Sequence, residues 1–106
     1  SQVNAKADGT LVTGIPAKTH YSNEEFHTMI AEFQEWKKIR MIGSAAMASA
    51  YVAAGKAETY KENGIFLWDV AAGAAIVRSA GGNINISDVQ DDFRVDAIFS
   101  NATIQD

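Results

Sequence analysis

The chain has 106 residues, no cysteine, nine Lys+Arg against thirteen Asp+Glu, and 47% hydrophobic residues. That length holds one domain or a piece of one, and the apolar content is too high for a disordered chain. The missing cysteines exclude disulfides and thiolate metal sites. The acidic balance with no basic stripe argues against a nucleic-acid partner, and no apolar run approaches the ~18 residues of a membrane span.

Ser1 to Gly9 reads as a polar lead-in, with Asp8-Gly9-Thr10 as a turn. Leu11-Val12-Thr13 is a short strand closed by Gly14 and Pro16. Ser22-Asn23-Glu24-Glu25 fits a capping box, and Phe26, Met29, Ile30 and Phe33 follow at helical spacing, which predicts a helix ending near Trp36. Lys38 to Ile42 is a second strand. Ala45 to Ala54 is an Ala-rich helix stopped by Gly55; being apolar on nearly all sides, it is expected to lie buried between layers. Thr59 to Leu67 is extended, with a break at Asn63-Gly64. A second Ala-rich helix covers about Val70 to Ser79 and stops at Gly81-Gly82. Asn83 to Ile86 alternates at period two, Ser87 to Asp92 is an acidic loop, and Asp96 to Ser100 is a last strand. This order predicts an α/β fold, a layered and mostly parallel sheet with Ala-rich helices.

Two junctions share one design. Ile39-Arg40-Met41-Ile42 feeds Gly43-Ser44-Ala45-Ala46, and Ile65-Phe66-Leu67 feeds Trp68-Asp69-Val70-Ala71-Ala72. Each is a strand end, an N-cap residue and an Ala-rich helix, and such junctions gather at the carboxyl ends of parallel strands, where ligands bind. The first offers free amides to an anion; the second offers a carboxylate. A Mg²⁺ ion between the two reconciles them, because it takes one or two protein carboxylates and completes its shell with phosphate and water. From spacing alone, Ser44 and Asp69 read first as plain helix caps, with the ligand roles left open.

Trp68-Asp69-Val70-Ala71-Ala72-Gly73, continued to Gly82, resembles the C-terminal signature of the inositol monophosphatase family. Ile39 to Ala46 resembles that family's arginine-then-Gly-Ser/Thr-Ala-Ala segment. Tyr51-Val52-Ala53-Ala54-Gly55 and Tyr60-Lys61-Glu62-Asn63-Gly64 fall between them in the family's order. The resemblance covers roughly Leu11 to Asn101 and implies the C-terminal half of an αβαβα sugar-phosphatase fold. It implies Mg²⁺-dependent, Li⁺-sensitive hydrolysis of a small phosphate monoester, an inositol monophosphate or a sugar phosphate, by metal-activated water. A nucleotide 3′-phosphatase or a fructose-bisphosphatase of the same superfamily is the alternative within that chemistry. A non-catalytic anion-binding or assembly module is the alternative outside it.

Residue by residue, the resemblance makes Asp69 a metal ligand and Glu62 the acceptor of a substrate hydroxyl. Gly43, Ser44 and Ala45 line the substrate pocket through their backbone, and Arg40 supports the fold or a subunit contact. The family also uses an Asp-Pro-Ile/Leu-Asp-Gly-Thr segment and an upstream Glu-Glu pair for most metal ligands, and nothing in this chain resembles either. The resemblance therefore implies the C-terminal α/β domain, residues 1–106, of a longer enzyme whose N-terminal metal-binding half lies elsewhere. No catalytic residue is assigned in this chain alone, which is expected to be inactive in isolation. Its expected partners are a small phosphorylated polyol or sugar, that missing half, and further copies of itself. Nucleic acid and membrane are not expected partners, and the expected location is cytoplasmic.

The remaining candidates carry bland readings. His20 and His27 fall away from the junctions. Asp88, Asp91 and Asp92 read as a solvated acidic turn. Trp36 and Trp68 read as core residues, Trp68 also setting the direction of Asp69. Gly73 to Gly82 lacks the Gly-x-Gly-x-x-Gly spacing of a dinucleotide-binding turn.

Overall fold

A computed structural model describes residues 5–14 and 22–102. Pro16 and His20 lie outside them. The elements run β1 (Thr10–Thr13), α1 (Asn23–Phe33), β2 (Lys38–Met41), α2 (Ala45–Ala53), β3 (Thr59–Phe66), α3 (Leu67–Ser79), β4 (Asn83–Ile86) and β5 (Arg94–Ser100). This is the alternation expected from the sequence. Asp8-Gly9 forms a turn, at the end of a short 3-10 segment over Lys6–Asp8.

The five strands form one sheet in the order β2-β1-β3-β5-β4. β1 pairs in parallel with β2 and β3, while β5 is antiparallel to both β3 and β4. Since β4 opposes β5 and β5 opposes β3, four strands run one way and β5 alone runs against them. The sheet is mixed, and the carboxyl ends of β1, β2 and β3 share one edge.

One sheet face carries the core. Val12, Tyr60, Val95, Ala97 and Phe99 pack against Ala48 and Val52 of α2 and Val70, Ala74 and Val77 of α3. Alternation at period two puts these strand residues on one face. Leu11, Thr13 and Lys61 take the other face, where Lys61 Nζ meets Glu32 Oε1 of α1 at 2.7 Å. The two Ala-rich helices touch closely because a Cβ on Gly73 would fall inside Ser49 Oγ.

α1 opens with the full capping box: Ser22 Oγ accepts from Glu25 N, and Ser22 N donates to Glu25 Oε1. That reciprocal pair occupies Glu25 in starting a helix. α1 ends at Phe33 rather than near Trp36, because Trp36 turns inward and is buried, its ring lying 3.2 Å from where a Gly9 Cβ would stand. α2 is less covered than its composition suggests. Only Ala48, Ser49 and Val52 are buried, and Met47 is 54% exposed. With the sheet beneath it and α3 beside it, no third layer among the described residues covers its outer side, so apolarity all round does not translate into burial.

α3 begins at Leu67, three residues before the expected start. Its N-cap is Phe66, and Leu67 N donates to the Phe93 carbonyl at 2.9 Å. With that amide satisfied by a neighbouring loop, the chain turns helical straight out of β3 without a side-chain cap. Asp69 is therefore a first-turn helical residue and not the N-cap. The break at Asn63-Gly64 is a bulge in β3, with Gly64 at φ +69°. It is pinned from β5 by Asp96 Oδ1, which accepts from Gly64 N, and by Arg94, which donates to the Gly64 carbonyl at 2.7 Å.

Candidate functional site

At the shared carboxyl edge, β1 is followed by Gly14, β2 leads through Ile42 and Gly43 into α2, and β3 runs into α3. Ser44 is the N-cap of α2 as expected, its Oγ accepting from Met47 N at 3.2 Å. The first intrahelical bond is Ala48 N to the Ser44 carbonyl. The amides of Ala45 and Ala46 thus precede the helical ladder and point out of its positive end, where an anion is favoured. Gly43 faces open space: a Cβ there would meet nothing within 4 Å.

Glu62 reaches the same edge from β3. Its Oε1 accepts from the Tyr60 hydroxyl at 2.9 Å. The same oxygen would lie 2.7 Å from a Cβ on Gly14, and the Ile42 carbonyl 3.2 Å from that Cβ. The side chain of Glu62 therefore lies across the end of β1 towards the Ile42 turn that leads into α2. Burial, more than any other cause, raises its carboxyl above the ordinary value; the Tyr60 hydrogen bond opposes this, and the Asp69 charge adds to it. Burial foremost, then the Glu62 carboxylate, pushes the Tyr60 phenol far above its usual range. Asp69 is exposed on the first turn of α3, and its carboxylate makes no hydrogen bond or ion pair among the described residues.

The structure thus brings Gly43, Ser44, Ala45, Glu62 and Asp69 to one edge of the sheet. Trp68 is a correction. It is 62% exposed, stacked on Phe66 with centroids 4.7 Å apart and flanked by Phe93 at 6.1 Å. The early start of α3 carries Trp68 onto the outer first turn, where it covers a neighbouring ring and not the core. Asp92 pairs with Arg94 at 3.1 Å, within the loop read as an acidic turn. His27 is exposed on α1, and Arg40 is exposed on edge strand β2.

Two participants escaped the sequence reading. Tyr60 and Gly14 hold Glu62, yet only Glu62 drew notice. The available signal was modest: residues two apart on a strand share a face, so Tyr60 lies beside Glu62 by construction of the strand. Gly14 carried no such mark, because its neighbour comes from a strand 48 residues later.

Residues 3–99 match the profile of the Inositol monophosphatase family. The chain belongs to that family. It is 44% identical over 77 residues to Nus factor SuhB of Pasteurella multocida, covering 72% of this chain and 29% of that protein. It is 36% identical over 85 residues to the inositol-1-monophosphatase of Mesorhizobium japonicum, covering 76% and 31%. Among solved structures, the inositol monophosphatase of Anabaena superposes with a TM-score of 0.82 at 26% identity, over 98% of this chain and 44% of that one. Mycobacterium tuberculosis SuhB gives 0.80 at 28%, over 97% and 40%. The chain spans about three-tenths of the length of these curated relatives. The mixed sheet and its helices are therefore those of inositol monophosphatase structures.

Members of this family are generally metal-dependent, so the donor set matters. Among the described residues no group of three or more His, Cys, Asp or Glu side chains is placed to hold a metal ion. Asp69 offers one unengaged carboxylate, with Glu62 near enough to feel its charge. That set suits a magnesium ion taking one protein oxygen, with phosphate and water as its other ligands. It does not make a two-metal site.

Proposed function

We propose that this chain carries the substrate side of a Mg²⁺-dependent phosphomonoesterase site acting on an inositol monophosphate-like or sugar phosphate. One observation carries the reading. The exposed helix start at Gly43-Ser44-Ala45, the half-buried Glu62 and the unengaged Asp69 stand on a single edge of the sheet. The Ala45 and Ala46 amides bind the phosphate oxygens. Glu62 accepts a hydrogen bond from a hydroxyl of the polyol. Asp69 holds the Mg²⁺ ion, which when bound supplies positive charge to the phosphate and makes its water more acidic. The Glu62 carboxylate on the polyol side also disfavours a second phosphate on the leaving group, which supports a monoester of a neutral polyol over a bisphosphate.

The remaining metal ligands and the group that positions the attacking water belong, in this reading, to an N-terminal half outside residues 1–106. The chain alone is then expected to bind Mg²⁺ weakly and not to turn over. The apolar groups left exposed on α2 and α3, Met47 and Ile76 among them, favour docking of that half or of a second copy. Action on a small soluble ester suits a cytoplasmic location; no helix among the described residues is long and apolar enough to cross a membrane.

A second reading has its own support. Several relatives carry the name Nus factor SuhB, which suits a chain that acts by assembling with another macromolecule and not by turnover. Phosphate release from inositol 1-phosphate with Mg²⁺ separates the two. It is measured for this chain alone and after adding the N-terminal part of a longer inositol monophosphatase family protein. Restored release that Asp69→Asn abolishes supports the phosphatase; no release in any combination favours assembly.

A further inference from the structure

The geometry points to Tyr60 and Gly14 as positioning residues that lock Glu62 into the one rotamer able to read a substrate hydroxyl. This rests on the reading of Glu62 as the hydroxyl acceptor.

Glu is among the side chains with most rotamer freedom to lose, and a loose carboxylate discriminates poorly between ligands. Here that freedom is removed on two sides. The Tyr60 hydroxyl donates to Oε1 at 2.9 Å. Tyr60 itself is fully buried, held edge-on against Phe99 with ring centroids 5.7 Å apart, so the donor cannot swing away. On the other side Oε1 rests against the bare Cα of Gly14: a Cβ there would stand 2.7 Å from Oε1 and 3.3 Å from the Glu62 carboxyl carbon. Among the described residues the Tyr60 hydroxyl is the one hydrogen-bond donor to this carboxylate. Oε1 is spoken for, and Oε2 is the oxygen left to receive a polyol hydroxyl. A phenol is well suited to the task. It donates one hydrogen bond from a rigid ring, and in the core it keeps its proton.

Tyr60→Phe removes only the hydroxyl and keeps the ring packing. Gly14→Ala pushes on the far end of a flexible side chain, so the carboxylate moves before the backbone does. In the full chain labelled with ¹³C-glutamate, Glu62 is expected to show one rotamer by its side-chain couplings, and averaged couplings in both variants. With Mg²⁺ present, Tyr60→Phe is expected to weaken myo-inositol 1-phosphate binding about tenfold and to leave phenyl phosphate, which has no hydroxyl, unchanged. General damage would weaken both esters alike. Equal loss for the two esters, or a Glu62 that keeps a single rotamer in both variants, overturns the inference. If the unaltered chain binds neither ester, the rotamer measurement alone decides the role of Tyr60 and Gly14, and the phosphatase reading stands or falls separately on phosphate release after the N-terminal part is added.

Discussion

The β2–α2 and β3–α3 junctions look alike in sequence and differ in how each satisfies its helix start. At the first, Ser44 caps α2 with its own side chain, and Gly43 leaves the approach open. At the second, Phe66 stands at the N-cap with no side-chain hydrogen bond, and the Phe93 carbonyl takes the first amide of α3. A junction capped locally presents amides to solvent. A junction capped from a distant loop releases its carboxylate, because Asp69 is not consumed in holding the helix. The difference leaves free amides at the first turn and an unengaged carboxylate at the second. It also places Trp68 and Phe66 as an exposed stack beside Asp69.

Four changes would break or sharpen this contrast. The largest effect is expected where α2 and α3 touch. Gly73→Val forces a side chain into Ser49 Oγ and should lower stability by about 2–3 kcal/mol in urea denaturation; a loss under half of that would mean α2 and α3 can part freely. Asp69→Asn should weaken Mg²⁺ binding at least ~10-fold by calorimetry, while removing only ~0.3–1 kcal/mol of favourable helix-dipole interaction. A fall in stability without loss of metal would make Asp69 a structural residue after all. Ser44→Ala should lower stability by about 1 kcal/mol through loss of the cap bond to Met47 N.

The smallest effect is a pH slope. The Glu62 carboxyl is raised in the folded state, so folding favours its protonated form. Below the ordinary glutamate value this group leaves stability unaffected. As pH rises from there through the raised folded value, stability falls, and it then stays level. Glu62→Gln should flatten that segment of a stability-against-pH curve, so that the variant gains on the parent at neutral pH and not near pH 4. A parallel offset at all pH values would mean that Glu62 titrates alike in the folded and unfolded chain, so that folding does not raise its carboxyl.

Much of this was legible from residue order alone. The capping box at Ser22 to Glu25, the N-cap at Ser44 and the glycine after α2 are local devices, satisfied within a few residues, and all stand where expected. The start of α3 was misread by three residues, because the bond that decides it comes from Phe93, which lies 26 residues further on. The outer side of α2 stays uncovered for a related reason: composition describes a side chain, whereas burial depends on which layers are present to cover it. At the site, Asp69 stood out as a carboxylate inside an apolar segment, and Glu62 only through the family resemblance. Tyr60 and Gly14 did not, since an aromatic on a strand and a glycine at its end look structural everywhere.

The sequence by itself determined the alternation of strands and helices, both junctions and the family, because these rest on short-range periodicity, capping chemistry and ordered motifs. Only the tertiary structure decided that β5 runs against its neighbours, that α3 is capped from a loop, and that a buried phenol holds the carboxylate of Glu62. Those outcomes depend on contacts between segments far apart in the chain, and such contacts are fixed by the packing of the whole sheet.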